Sequence, residues 1–159
     1  MKTATSIAHV HAFERPLTVR FSHCDPAGIV FFPQYLVMVN NLVEEWVSDG
    51  LKVPYAHLIS TRRIGLPTVS LNCQFTAVSR MGDEVMMGLS VEHIGRSSLR
   101  LTVGCRAGAE ARFVMQHVLV TTDLQTHRPI AIPDDLREPM LAFKSGWSIS
   151  THLPQIRSS

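Results

Sequence analysis

Long apolar runs are missing from this chain of 159 residues. No stretch approaches the ~18 consecutive apolar residues of a membrane-spanning helix, so no span is expected. The N-terminal residues, from Met1 to His11, hold no extended apolar segment of the secretory type, and export is not expected. Cysteine is scarce. Cys24, Cys73 and Cys105 are odd in number and lack C-x-x-C spacing, which argues against a disulfide framework and a zinc site. A reducing cytoplasm is the expected location. Charge of one sign is lacking as well: 15 Lys and Arg against 13 Asp and Glu leave a net charge of +2 with no basic stripe, and nucleic acid is not an expected partner. A ligand carrying a few phosphates needs only one or two well-placed cations.

What is present is apolar residues, 45% of the chain against 18% charged, in a length that suits one domain burying roughly 70% of its unfolded surface. Such a composition leaves room for surface covered by a second subunit. Residues 17–23 alternate, with Leu17, Val19, Phe21 and His23 on one face, and read as a half-buried strand. The period then changes. Tyr35, Met38, Val39, Leu42, Val43, Trp46 and Val47 recur at helical spacing opposite Asn40, Asn41, Glu44, Glu45 and Ser48, so a helix of about four turns is predicted over 33–48, with Pro33 in its first turn and Gly50 as its stop.

An irregular stretch with Pro54, Arg62, Arg63, Gly65 and Pro67 separates this helix from four further alternating segments, 68–77, 84–92, 98–107 and 111–122. The last is apolar on both faces, Phe113, Met115 and Leu119 against Val114, Val118 and Val120, and is predicted to be central. Turns around Gly82-Asp83, Gly95-Arg96 and Gly108-Ala109 predict hairpins and a meander of four antiparallel strands. A sheet with one apolar face and one long helix has an economical packing, in which the sheet curls around the helix. The tail beyond Ile132-Pro133-Asp134-Asp135 reads as irregular and ends rich in serine (Ser145, Ser148, Ser150, Ser158, Ser159).

The junction of the first strand and the helix is the place to look for chemistry. Asp25 precedes Pro26-Ala27-Gly28 and an apolar run into the helix start, where unpaired N–H groups and the positive end of the macrodipole can polarise a carbonyl oxygen. Pro33 has no N–H, so the donors lie at Phe31 or Phe32 or beyond Pro33. Read by itself, Asp25 is better explained as a turn residue than as a catalyst. His23 lies on the apolar face, which favours a packed histidine that orients the loop over a general base. Cys24 has no partner histidine placed by the sequence and reads as an inert thiol.

The string Cys24-Asp25-Pro26-Ala27-Gly28-Ile29-Val30-x-x-Pro33-x-Tyr35 resembles the signature of the 4-hydroxybenzoyl-CoA thioesterase family, in the branch whose catalytic aspartate lies in this loop. Gly50-Leu51, Val69-Ser70-x-Asn72-x-x-Phe75, Asp83-x-Val85, Glu92-x-x-x-Arg96-Ser97 and Arg128-x-Ile130-x-Ile132-Pro133 resemble it in the same order. The resemblance implies an α+β hotdog fold, a five- or six-stranded antiparallel sheet around one long helix, over residues 15–138, with extensions at 1–14 and 139–159. It implies dimers joined through their sheets, or tetramers, with active sites at the dimer interface. The substrate would be an acyl-CoA, aromatic such as 4-hydroxybenzoyl-CoA or with a short or medium acyl chain. No metal and no cofactor are implied, since CoA is part of the substrate.

Residue by residue, the resemblance implies Asp25 as nucleophile or general base and the Phe32 N–H as oxyanion donor, with Tyr35, Asn40, Ser70, Arg96 and Ser97 at the substrate. Asn40 stands where this branch has an acid. Ile94 and Gly95 stand where it has basic residues near the CoA phosphates, leaving Arg96 as the cation. A second branch of these thioesterases uses a glutamate on the helix, which makes Glu44 the rival to Asp25. A non-catalytic acyl-CoA or acyl-carrier module and a hotdog dehydratase are the competing functions; the second needs a converging His and acid that the sequence does not display.

Overall fold

The computed structural model describes residues 10–144, so the serine-rich end lies outside the described residues. In chain order the elements are β1 (Phe13–Thr18), α1 (Phe32–Glu45), α2 (Tyr55–Ser60), β2 (Ile64–Gly65), β3 (Thr68–Phe75), β4 (Glu84–Ile94), β5 (Ser98–Ala107), β6 (Glu110–Val120), β7 (Thr122–Asp123) and α3 (Asp134–Met140). Five strands form an antiparallel sheet in the order β1-β4-β5-β6-β3, and β2 pairs with β7 beside it.

α1 lays its predicted stripe, Tyr35, Met38, Val39, Leu42 and Val43, against the sheet, and a π turn over Trp46–Gly50 extends it with Trp46 and Val47 fully buried. The facing side chains are Val85, Met87, Leu89 and Val91 of β4, Leu99, Leu101, Val103 and Cys105 of β5, and Phe113, Met115 and Leu119 of β6. Each large apolar side chain so buried contributes about 2 kcal/mol, so the wrapped helix is the main source of cohesion.

Four expectations are corrected by the structure. The first strand runs over Phe13–Thr18 and contains Pro16, which an edge strand tolerates because one side of it has no partner to bond. Residues Phe21–His23 form a 3-10 turn instead, with Phe21 82% exposed. The central strand is β5, and β6 buries only one face while Val114 on the other is exposed. The tail after Pro133 is not wholly irregular: α3 buries Leu136 and Met140.

The fourth correction matters most for the site. β3 pairs with β6 and not with β4, so only β4, β5 and β6 form the meander. β3 is an edge strand, and the connection over residues 76–83 crosses the end of the sheet to reach β4. Three strand spacings make that crossing ~14 Å. The loop containing Asp25 docks on this crossover.

Candidate active site

Asp25 lies at the tip of a narrow antiparallel excursion between β1 and α1. Cys24 and Val30 form a bridge, the Asp25 N–H donates to Ile29 O at 3.0 Å, and the Phe31 N–H donates to His23 O at 3.0 Å. Within the tip, the Gly28 N–H donates to Asp25 O at 2.9 Å, and Gly28 takes φ +74°, a left-handed conformation that suits glycine. The Ala27 N–H donates to Asp25 Oδ1 at 2.8 Å. No described residue bonds Oδ2, so one carboxylate oxygen is anchored and the other is uncommitted.

The excursion leads directly into α1. Phe31 is the N-cap in extended conformation and Phe32 the first helical residue, with Pro33 next. Gln34 turns its N–H back to Phe31 O at 2.8 Å, whereas the Phe32 N–H has no acceptor among the described residues. An unbonded amide at the positive end of a helix of four turns is a ready donor to an oxygen gaining negative charge. Around it stand rings left open by the fold: Phe32 at 58% and Phe75 at 49% exposure, with centroids 6.2 Å apart, and Phe31 5.7 Å from Phe32. Together they make an apolar wall beside that amide, on the chain segment that also carries the Asp25 carboxylate, an arrangement suited to an acyl group whose carbonyl is under attack.

The other expected site residues disperse. Tyr35 is buried, its ring stacked on Phe75 at 5.8 Å and its hydroxyl donating to Ser79 Oγ at 2.7 Å, so its effect on the site is indirect. Burial pushes that phenol above its ordinary value and keeps it a donor. Asn40 is exposed on α1, and Ser70 is exposed on edge strand β3. Arg96 is exposed in the β4–β5 turn, which is held from behind: Arg137 donates to the carbonyls of Gly95 and Arg96 at 2.7 and 3.0 Å, and Ser97 O receives the Thr121 N–H at 2.8 Å. Glu44 is exposed ~18 Å along α1 from Phe32, taking ~1.5 Å per residue, and faces a shallow polar groove with Asn41, Glu45, Ser48 and Asp49.

His23 orients the loop, its Nδ1 accepting the Arg20 N–H at 2.9 Å. Cys24 is half-buried with its thiol donating to Arg20 O at 3.4 Å. Sequence reasoning missed Ser79 and Arg112, which hold the crossover under the loop, because Ser79 lies outside every periodic segment and Arg112 is only a polar position of the 111–122 strand, both away from the loop motif. Among the described residues no group of three His, Cys, Asp or Glu side chains is placed to hold a metal ion, and no helix is long and apolar enough to cross a membrane.

Comparison with known proteins agrees with this fold. The family model of the thioesterase-like superfamily matches residues 19–140. The chain is 29% identical over 129 residues to a 4-hydroxybenzoyl-CoA thioesterase of Pseudomonas sp. strain CBS-3, covering 76% of this chain and 91% of that one. It is 30% identical over 73 residues to a 1,4-dihydroxy-2-naphthoyl-CoA hydrolase of Synechocystis, covering 46% of this chain and 52% of the relative, about half its length. The crystal structure of a 1,4-dihydroxy-2-naphthoyl-CoA thioesterase from Synechocystis superposes with a TM-score of 0.74 at 21% identity, covering 81% of this chain and 95% of that one. A sheet wrapped on one helix, a family model spanning most of the chain and relatives named for thioester cleavage agree: the chain belongs to the thioesterase-like superfamily and is a thioester hydrolase of the hotdog fold.

Proposed function

We propose that the thioester is an acyl-CoA with an aromatic acyl group, and that Asp25 is the carboxylate that cleaves it. The observation that carries this reading is the pairing of a half-anchored carboxylate with an unbonded helix-start amide on one short loop. The acyl carbonyl oxygen accepts the Phe32 N–H, which stabilises the negative charge that develops on it. Asp25 then acts by one of two routes. As nucleophile, an Oδ atom bonds the carbonyl carbon, CoA leaves as thiolate, and water hydrolyses the acyl-aspartyl anhydride. As general base, Asp25 takes a proton from water while the water oxygen bonds the same carbon and the thiolate leaves.

The Phe31, Phe32 and Phe75 rings favour an aromatic acyl group, in keeping with relatives named for hydroxybenzoyl and dihydroxynaphthoyl thioesters. Arg96, exposed in its held turn, is the cation assigned to the CoA phosphates. We also propose a homodimer joined along β3. That edge strand exposes Val69, Leu71 and Phe75 beside unpaired backbone groups, a combination that invites a second copy.

Thiol release across aromatic, short-chain and medium-chain acyl-CoA thioesters tests the reading. Turnover highest with aromatic thioesters is expected. Tight stoichiometric binding with no free thiol would instead make the chain a binding module. Light scattering tests the dimer, and a monomer at working concentrations would contradict it.

A further inference from the structure

The crossover over residues 76–83 is mostly exposed, with Val78 and Met81 open to solvent, yet Ser79 within it is 1% exposed. Its two oxygens hold the chain on both sides of Phe32. On the upstream side, Ser79 O accepts the Val30 N–H at 2.9 Å, and one step along the Met81 N–H donates to Gly28 O at 3.0 Å. On the downstream side, Ser79 Oγ accepts the Tyr35 hydroxyl at 2.7 Å from the first turn of α1. The donor amide is thereby suspended between two bonds to one residue.

Ser79 is in turn fixed to the sheet by Arg112 of β6. The Arg112 Nη1 donates to Val78 O, to Ser79 Oγ at 3.3 Å and to Asp83 Oδ2 at 2.9 Å, and its Nε stands 3.0 Å from Glu110 Oε1. Asp83 Oδ2 also accepts the Arg80 N–H at 2.9 Å, which closes the turn leading into β4. A guanidinium planted in the sheet therefore grips the crossover at three points, and the crossover grips the loop and the helix start.

We propose that Ser79 and Arg112 are positioning residues that set the direction of the Phe32 N–H relative to the Asp25 carboxylate. The inference rests on the reading of the site given above. Ser79 is buried and the Arg112 side chain is only 11% exposed, so their effect belongs to the alignment that the transition state needs and not to the affinity for substrate. Misplacement by about 1 Å is enough to slow an enzyme by about 100-fold.

The test uses Tyr35→Phe, which removes a single oxygen, Ser79→Ala, and the double variant. With melting well above the assay temperature, kcat is expected to fall about 10-fold in Tyr35→Phe and up to about 100-fold in Ser79→Ala, with KM within about twofold of wild type. The double variant should be no slower than Ser79→Ala, because both act through one hydroxyl. Unchanged kcat in the folded variants, or a rise in KM at constant kcat, overturns the proposal. Wild-type turnover judges the reading of function separately. Should the wild type release no thiol, hydrogen exchange of the buried Val30 amide, which donates to Ser79 O, decides: at least about 10-fold faster exchange in Tyr35→Phe sustains the positioning role, and an unmoved amide ends it.

Discussion

The Ala27 N–H donates to Asp25 Oδ1 at 2.8 Å, two residues downstream of the carboxylate it holds. The bond forms because the chain reverses at Gly28, whose φ of +74° a side chain adopts only under strain although nothing lies within 4 Å of its would-be Cβ. Gly28→Ala is therefore expected to cost about 1 kcal/mol, a fall in Tm of about 2 to 4 °C, and Gly28→Asn less. Thermal unfolding of both variants measures this, and equal stability of Ala and Gly would mean that the turn relaxes.

The proposed oxyanion donor is a backbone group, yet it can be removed. Phe32 is the first residue of α1, where proline is well tolerated, and Phe31 already has the extended ψ of 120° that a following proline requires. Phe32→Pro should fold and lose about 100- to 1,000-fold in kcat, while Phe32→Ala, which keeps the amide, should lose far less. Steady-state kinetics of the two variants make the comparison, and an equal loss in both would assign the effect to the ring.

Acid should release the crossover. The Arg80 N–H and then the Arg112 guanidinium hold Asp83 below its ordinary value of 3.8, and the Arg62 guanidinium does the same for Asp135. A carboxylate with a depressed folded value stabilises the protein fully above its unfolded value and loses that contribution as pH falls through the folded one. Stability is thus expected to drop below about pH 4, and Asp83→Asn should flatten part of that drop. Denaturant melts between about pH 5 and pH 2.5 record the slope. Removing the guanidinium outright in Arg112→Ala should cost about 2 to 3 kcal/mol at neutral pH.

A second pH window belongs to His117. Burial holds this imidazole below its ordinary value of 6.5, with Nε2 on Thr68 Oγ1 at 2.7 Å and Nδ1 buried with no partner among the described residues. The neutral form is the folded form, so stability is full above 6.5 and declines as pH falls from there toward the lower folded value. His117→Gln is expected to remove that decline, by at most about 1.4 kcal/mol for each pH unit. Melts at about pH 7.5 and about pH 5.5 check it; an unchanged slope would show that His117 does not titrate with unfolding.

Much of this architecture was legible from periodicity alone, because α1 and strands β3 to β6 bury or border a continuous apolar face. The failures have physical causes. Pro16 hid the true β1, since nothing local announces that a strand will lie at an edge where a missing N–H is harmless. Leu71 and Phe75 alternate like core residues but remain open on β3, because alternation reports a face and not what covers it. Ser79 and Arg112 meet only after β3 has paired with β6 and sent its connection across the sheet, and pairing order is not a local property. Asp25 was singled out through its loop motif, and the structure adds the anchored oxygen and the unbonded amide at Phe32.

Asp25→Asn tests the central claim most directly. The substitution keeps the side-chain oxygen that accepts the Ala27 N–H and removes the negative charge. With folding and oligomer size verified by circular dichroism and light scattering, aromatic acyl-CoA hydrolysis followed by thiol release is expected to fall by at least about 100-fold. Retained turnover in Asp25→Asn, together with loss in Glu44→Gln, would contradict the account and place the catalytic carboxylate on α1.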